Sequence, residues 1–176
     1  MHPFTHAMTG WLLAQPLKER RDRQIVTAAA VVADVDGLSI LLGVDAYSRW
    51  HHTFGHNVFA ATAVTAFGAA AGRDRLKVAV LSLVAYHSHI FLDLLGSGKD
   101  WPISYFWPAS AITYAFDPPF QWELVSWQNI GFTLVLLGFI LNLGLRHGRT
   151  IAEVLSRRAD RVIVQRIAQV FGKRST

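Results

Sequence analysis

A long apolar run in the last third of the chain, residues 128–145 (QNIGFTLVLLGFILNLGL), contains no charged residue. A helix needs about 20 apolar residues to cross the hydrocarbon core of a bilayer, and this run is close to that length. Residues 58–72 also lack charge, and residues 78–92 carry only two histidines among chargeable side chains. Only 16% of the chain is charged, against about 25% in an average soluble protein. The sequence therefore favours an integral membrane protein over a soluble protein with a buried helical core.

The apolar segments have helical length, and no stretch shows the period-2 alternation typical of strands. We therefore predict an all-α fold, an antiparallel helical bundle with a basic amphipathic C-terminal helix over residues 149–171. The predicted bundle helices cover residues 4–15, 22–33, 52–71, 76–95 and 127–146, with a loop up to about residue 50 and an irregular crossing over 97–126. This divides the chain into a membrane-embedded helical domain, residues 1–148, and a basic tail, residues 149–176.

Antiparallel helices would sort the polar residues into two sets, one at each end of the bundle. The histidine end receives His6, Asp34, Asp36, His51, His52, His56, His87, His89 and Asp93. The basic end receives Lys18, Arg20, Arg21, Arg23, Arg73, Arg75, Lys77, Arg146 and Arg149. By the positive-inside rule, we expect the basic end and the C-terminal tail to be cytoplasmic and the histidine end to face away from the cytoplasm.

The spacing at the histidine end is typical of a metal site. His52 and His56 are four residues apart, as are His89 and Asp93, and this spacing places two side chains on one face of a helix. Because the chain has no cysteine, imidazole and carboxylate groups would hold the ion, and these suit zinc, manganese or iron. We expect one or two divalent ions, zinc by preference. Each motif also has a purely structural explanation, since residues 34–37 (DVDG) are typical of a helix-ending turn and His89 can simply bond to Asp93.

In these residues the sequence resembles a family of membrane-bound, metal-dependent hydrolases, formerly a domain of unknown function and also described as LexA-binding, inner-membrane-associated hydrolases. The family pattern is an early histidine, P-D-x-D, H-R-x-x-T-H-S, S-H-x-x-x-D and a W-P segment. Its counterparts here, within about residues 1–110, are THAMTG, ADVDG, HHTFGHN, HSHIFLD and YFWP. The resemblance implies an inner-membrane location and a ligand set of His6, Asp34, Asp36, His51, His56, His89 and Asp93. The departures from the pattern include His52 in place of an arginine, Gly55 in place of a threonine, Asn57 in place of a serine, and His87 as an addition.

Together these features predict a membrane-bound, metal-dependent hydrolase in which metal-activated water attacks an ester or phosphoester of lipid-like character. Asp34 or Asp36 would orient the water as a base, and His52 or Arg49 would neutralise a developing oxyanion. The alternatives are a non-catalytic, metal-stabilised membrane scaffold or binding protein, and a transporter, which the clustering of polar residues at one end disfavours.

The net charge of +5 comes from basic clusters beside apolar segments. It predicts contact with membrane lipids and no nucleic acid. The amphipathic tail would lie on the membrane surface or pack against a protein partner.

Overall fold

The computed structural model describes residues 1–171, and the last five positions of the predicted tail, 172–176, lie outside the described residues. Within the described part there are no strands beyond one isolated bridge between Ile103 and Tyr114, so the all-α prediction is confirmed. The α-helices are α1 (Pro3–Leu13), α2 (Arg20–Ala29), α3 (Val44–Trp50), α4 (Val58–Ala71), α5 (Arg75–Gly96), α6 (Trp127–His147) and α7 (Arg157–Phe171), and the 3-10 segments are Val32–Leu42 and Ile151–Val154.

Two of these helices, α5 and α6, are long and apolar enough to cross a membrane, with 22 and 21 residues. Their bounds lie within one residue of the predicted ones. They run antiparallel, because the start of α6 is tied to the end of α5 through Asn129 Nδ2, which donates to the Gly96 carbonyl at 2.9 Å. Helix α4 is also apolar but has only 14 residues, about 21 Å of helix, so it is too short for a full span.

The segment between α2 and α4 differs most from the prediction. The helix expected over residues 22–33 ends at Ala29, and the chain then bends by 52° into the 3-10 segment Val32–Leu42. The loop predicted up to residue 50 is therefore wrong, since a 3-10 segment and α3 occupy it. The helix expected from residue 52 begins only at Val58, where the Asn57 side chain caps it by accepting from Ala60 N.

Residues 51–57, which carry three of the histidines, thus form turns before α4 rather than its first two turns. The backbone explains the difference. Thr53 N and Gly55 N donate to Asp36 Oδ2 at 3.2 and 3.1 Å, outside any helix. A long-range carboxylate therefore holds this segment, a contact that local sequence cannot reveal.

The predicted tail helix is broken into the 3-10 segment Ile151–Val154 and α7. The first piece is fixed at the basic end by a buried ion pair, in which Arg23 Nε and Nη2 donate to Glu153 at 2.6 and 2.7 Å. Trp11 Nε1 also donates to Glu153, at 3.0 Å. Farther along, Ile167 of α7 is buried and approaches Gly144 of α6. The described part of the tail therefore packs against α1, α2 and α6.

Candidate metal centre

Helix α5 supplies two buried groups of the site from adjacent turns near its C-terminal end. His89 and Asp93 lie on the same face, as their spacing predicts, and His89 Nε2 is 2.9 Å from Asp93 Oδ2. The other ring nitrogen, His89 Nδ1, lies 2.8 Å from the Ala30 carbonyl. A carbonyl can only accept, so Nδ1 carries the proton and the Nε2 lone pair points towards Asp93.

His56 is held in a similar way by a carboxylate. Its Nδ1 donates to Asp36 Oδ2 at 2.8 Å, and its Nε2 lies 3.3 Å from Asp93 Oδ2. Asp36 also accepts from His51 Nδ1 at 2.9 Å and from the backbone amides of Thr53 and Gly55. Four donors therefore surround Asp36. Its position is that of a carboxylate that orients a metal-binding histidine, and this differs from the direct ligand role predicted for it.

The rings of His56 and His89 approach each other through their Nε2 atoms, which are 3.0 Å apart. Two lone pairs repel each other at this distance, so the contact needs a proton or a metal ion between or beside them. Burial opposes the charge on His56, but hydrogen bonds to Asp36 and Asp93 outweigh it and raise the pKa of His56 to about 9. These hydrogen bonds therefore favour a positive charge on His56 when no metal is bound.

Asp34 completes a group of four potential ligands. Its Oδ1 lies 3.5 Å from His89 Nε2 and 4.0 Å from His56 Nε2, while its buried Oδ2 has no hydrogen-bond partner among the described residues. One donor atom from each of Asp34, His56, His89 and Asp93 lies within 4.8 Å of all the others. Ligands of a tetrahedral ion at about 2.0–2.1 Å are about 3.3 Å apart. The distances from the two Nε2 atoms to the carboxylate oxygens, from 2.9 to 4.0 Å, lie around this value, so these two imidazoles and two carboxylates could hold a divalent ion.

His6 and His52 approach Asp93 without belonging to that group of four. His6 Nε2 lies 3.1 Å from Asp93 Oδ1, and the His6 ring stacks on His89 with centroids 3.7 Å apart. His52 Nε2 lies 3.8 Å from Asp93 Oδ2. Its backbone is left-handed, with φ of 67°, a conformation that costs a residue other than glycine about 1–3 kcal/mol. The fold thus holds the His52 backbone in a strained conformation, in which the side chain faces the site.

Two residues predicted to belong to the site, His51 and Arg49, lie outside the group of four potential ligands. His51 is half-buried; it donates to Asp36, and its ring packs edge-on against His56 with centroids 5.7 Å apart. Arg49 is exposed on α3 and does not line the cavity in front of the centre. The structure therefore brings His6, Asp34, Asp36, His51, His52, His56, His89 and Asp93 to one end of the bundle, with Arg49 outside the cluster.

An open cavity of about 310 Å³ leads to the centre, and its lining includes Asp34, Gly37, Tyr47, His51, His52, Asp93 and Trp101. Tyr47 stacks on His51 with centroids 4.6 Å apart. The Trp101 carbonyl accepts from His52 Nδ1 at 3.0 Å. Sequence reasoning missed both residues, since an aromatic side chain or a backbone carbonyl in a loop carries no metal-site signature.

The backbone around Gly55 explains one departure from the pattern of the hydrolase family that the sequence resembles. A Cβ at this position would lie 1.9 Å from the Ala33 carbonyl oxygen, so no side chain fits while the backbone keeps this path. The close approach brings residues 51–57 against the segment that carries Asp34 and Asp36. Glycine in place of threonine is therefore a packing requirement of this chain.

The two helices long and apolar enough to cross a membrane agree with the comparison against protein families. A family model described as YdjM inner membrane protein matches residues 1–164. No curated protein and no solved structure matches the chain. The match includes every residue of the centre and both candidate spans.

Proposed function

The chain belongs to the YdjM inner membrane protein family, and on that premise we propose that it is a membrane-bound, metal-dependent hydrolase acting on an ester or phosphoester. The observation that carries the proposal is the 3.0 Å approach of His56 Nε2 to His89 Nε2, beside two carboxylates and at the base of an open cavity. A divalent ion would bind both imidazoles together with the two carboxylates, a ligand set that suits zinc, manganese or iron.

Four residues would hold the ion: Asp34, His56, His89 and Asp93. A divalent ion such as zinc, manganese or iron supplies Lewis acidity at such a site and lowers the pKa of a water ligand towards about 7. A second ion would have to share Asp93 with His6, which lies beside Oδ1, and with His52, which lies beside Oδ2. Asp36 keeps His56 in the tautomer that leaves Nε2 free to bind.

Proton transfer is assigned to groups that face the cavity and have free lone pairs. Asp34 Oδ2 is buried and has no partner among the described residues, so it can accept a proton from the attacking water. His52 is also an acceptor, because its Nδ1 bonds to the Trp101 carbonyl. Burial, then the charge on His56, lowers the pKa of His52 to about 3. At this pKa His52 is neutral and a weak base at pH 7, so it would orient the water as a hydrogen-bond acceptor and would not supply the positive charge predicted for oxyanion stabilisation.

The orientation in the membrane is part of the proposal. Arg73 and Lys77 flank the start of α5, and Arg146 is in the last turn of α6, so these cations lie at the end of the spans opposite to Asp93. The positive-inside rule places that basic end in the cytoplasm. The cavity then opens on the far side of the inner membrane.

The experiment is a hydrolysis assay of purified, zinc-loaded protein in liposomes. Substrates would include chromogenic carboxylic esters, phosphomonoesters, phosphodiesters and fluorogenic phospholipids. We expect turnover by the wild type and at least a 100-fold loss in Asp93→Asn and His89→Ala. Asp100→Asn, an exposed position beyond the end of α5, is the matched control and should keep full activity. Zinc binding without turnover of any substrate class would instead support the metal-stabilised scaffold.

A further inference from the structure

Several exposed apolar side chains near the metal centre belong to one short segment. Leu38, Ile40, Leu41, Leu42 and Val44 are 60%, 46%, 81%, 82% and 70% exposed. We call these five residues the apolar rim. Residues 38–44 include no charged residue. Such a contiguous exposed apolar surface is unfavourable in water and marks a contact with a membrane or another molecule.

The rim is continuous with the metal centre along the chain. Asp34 and Asp36 belong to the same 3-10 segment, and Gly37, which lines the cavity, immediately precedes Leu38. On the other side of the rim, α3 contributes Tyr47 to the cavity wall. The rim therefore lies between two residues that line the cavity and is part of the structure around its opening.

The bend between α2 and the 3-10 segment favours the bilayer as the partner of the apolar rim. Helix α2 and the 3-10 segment Val32–Leu42 together are long and apolar enough for one span, but they are bent by 52°. A segment of this kind can enter the bilayer without crossing it when polar residues beside it lie against protein.

The rim is also followed by aromatic residues typical of a membrane boundary. Trp50, at the end of α3, stacks on Phe54 with centroids 4.6 Å apart, and Phe54 packs edge-on against Trp107 at 4.8 Å. Phe54 is 46% exposed. Tryptophan is enriched at the boundary between lipid and water. This cluster and the ends of the two spanning helices indicate that the histidine end meets the bilayer near its headgroup layer.

We propose that the apolar rim is immersed in the bilayer and that the cavity beside it admits the polar headgroup of a membrane lipid directly from the lipid layer. The headgroup would then reach Asp34 and Asp93 while the acyl chains stay among the exposed leucines. The choice of a lipid as the molecule acted upon rests on the proposed hydrolase function. The immersion of the rim and the binding of a headgroup do not require turnover.

The position of the rim can be measured by fluorescence, because the native chain has no cysteine and one introduced cysteine is labelled alone. Leu42→Cys and the control Asp100→Cys, both exposed positions, would carry the fluorophore NBD in phosphatidylcholine–phosphatidylglycerol liposomes. We expect a nitroxide on the lipid acyl chain to quench the label at position 42 and aqueous iodide to quench the label at position 100. Iodide quenching of both labels, or protection of the label at position 42 from both quenchers, would overturn immersion.

Headgroup binding can be tested with a phosphatidylethanolamine that carries a photoactivatable diazirine on its headgroup. We expect crosslinks to peptides containing Tyr47 or Trp101, and a yield at least tenfold lower in the double variant Leu41→Asp, Leu42→Asp. Zinc content equal to that of the wild type would show that the double variant retains its fold. Absence of crosslinks to the cavity, or an unchanged yield in a folded variant, would refute headgroup access. A protein that crosslinks lipid but hydrolyses nothing would refute only the proposed function.

Discussion

His56 Nε2 lies 3.0 Å from His89 Nε2, while each ring uses Nδ1 as a hydrogen-bond donor, to Asp36 and to the Ala30 carbonyl respectively. These acceptors, Asp36 and the Ala30 carbonyl, orient both rings and turn both Nε2 atoms towards the same point. The pair therefore needs a cation, and the adjacent carboxylates of Asp34 and Asp93 supply the opposite charge.

Removal of the imidazole of His56 or of His89 should abolish tight metal binding. His56→Ala and His89→Ala each remove one of four ligands, so we expect the purified variants to contain less than about a tenth of the wild-type zinc, measured by elemental analysis after dialysis. His87→Ala is the matched control on α5, because His87 bonds to Tyr105 instead of the centre. Wild-type zinc content in both ligand variants would contradict the site.

Loss of the Asp36 carboxylate should lower the affinity for metal without changing the number of ions bound. Asp36 orients His56 and does not belong to the group of four potential ligands. Loss of such an outer partner typically weakens metal binding by about 10–100-fold. We expect Asp36→Asn to show this loss in a competition titration with a chelator, with one equivalent of metal still bound at saturation. Asp45→Asn, an exposed carboxylate on α3, should bind like the wild type. An unchanged dissociation constant for Asp36→Asn would exclude the orienting role.

The metal-free protein should lose stability as the pH rises. The pKa of His56 is raised from 6.5 to about 9, since hydrogen bonds to Asp36 and Asp93 outweigh the opposing effect of burial. The stabilisation from the charged ring is therefore complete below pH 6.5 and disappears as the pH passes about 9. Thermal unfolding in detergent with a chelator should show a falling melting temperature over this interval, and His56→Gln should lack this decrease.

The proton on His56 should compete with a metal ion for Nε2. If one proton leaves His56 for each ion bound, apparent zinc affinity rises about tenfold per pH unit up to about pH 9. Isothermal titration calorimetry in two buffers of different ionisation enthalpy measures the number of protons released. Release of no proton at pH 7 would mean that the ion does not bind through His56.

The buried ion pair at the basic end should contribute strongly to stability. Glu153 accepts from Arg23 and Trp11 in the interior, and breaking a buried pair by removing one partner typically costs about 3–5 kcal/mol. We expect Glu153→Gln to lower the melting temperature sharply while metal content in the folded fraction stays normal. Glu19→Gln breaks the exposed pair with Arg73 and should change stability by at most about 1 kcal/mol. Equal effects of the two changes would contradict this assignment.

Gly55 should not tolerate a side chain. Because a Cβ at this position would overlap the Ala33 carbonyl, we expect Gly55→Ala to cost about 1–3 kcal/mol and to weaken metal binding by shifting His56. Gly138→Ala, in α6 with nothing within 4 Å of the added carbon, is the control and should be tolerated. Wild-type stability and zinc affinity in Gly55→Ala would show that the backbone can move without cost.

Much of this protein follows from its sequence. The apolar runs determined the two spanning helices within one residue at each end, because a bilayer permits few other structures for uncharged segments of that length. The spacing of His89 and Asp93 placed both on one face of α5, since helix geometry is local. The inference that short connections bring the histidines to one end also needed only the order of the helices.

The tertiary structure alone decided what each group does. Asp34 and Asp36 are two residues apart in one motif, yet Asp36 is surrounded by four donors while Asp34 keeps a buried oxygen without a partner among the described residues. The direction of each imidazole depends on Ala30, Trp101 or Asp36, each more than ten residues away in the chain. The turns over residues 51–57 depend on the same long-range bonds. Sequence spacing predicts which residues share a helical face, but partners distant in the chain determine the tautomer, the burial and the role of each.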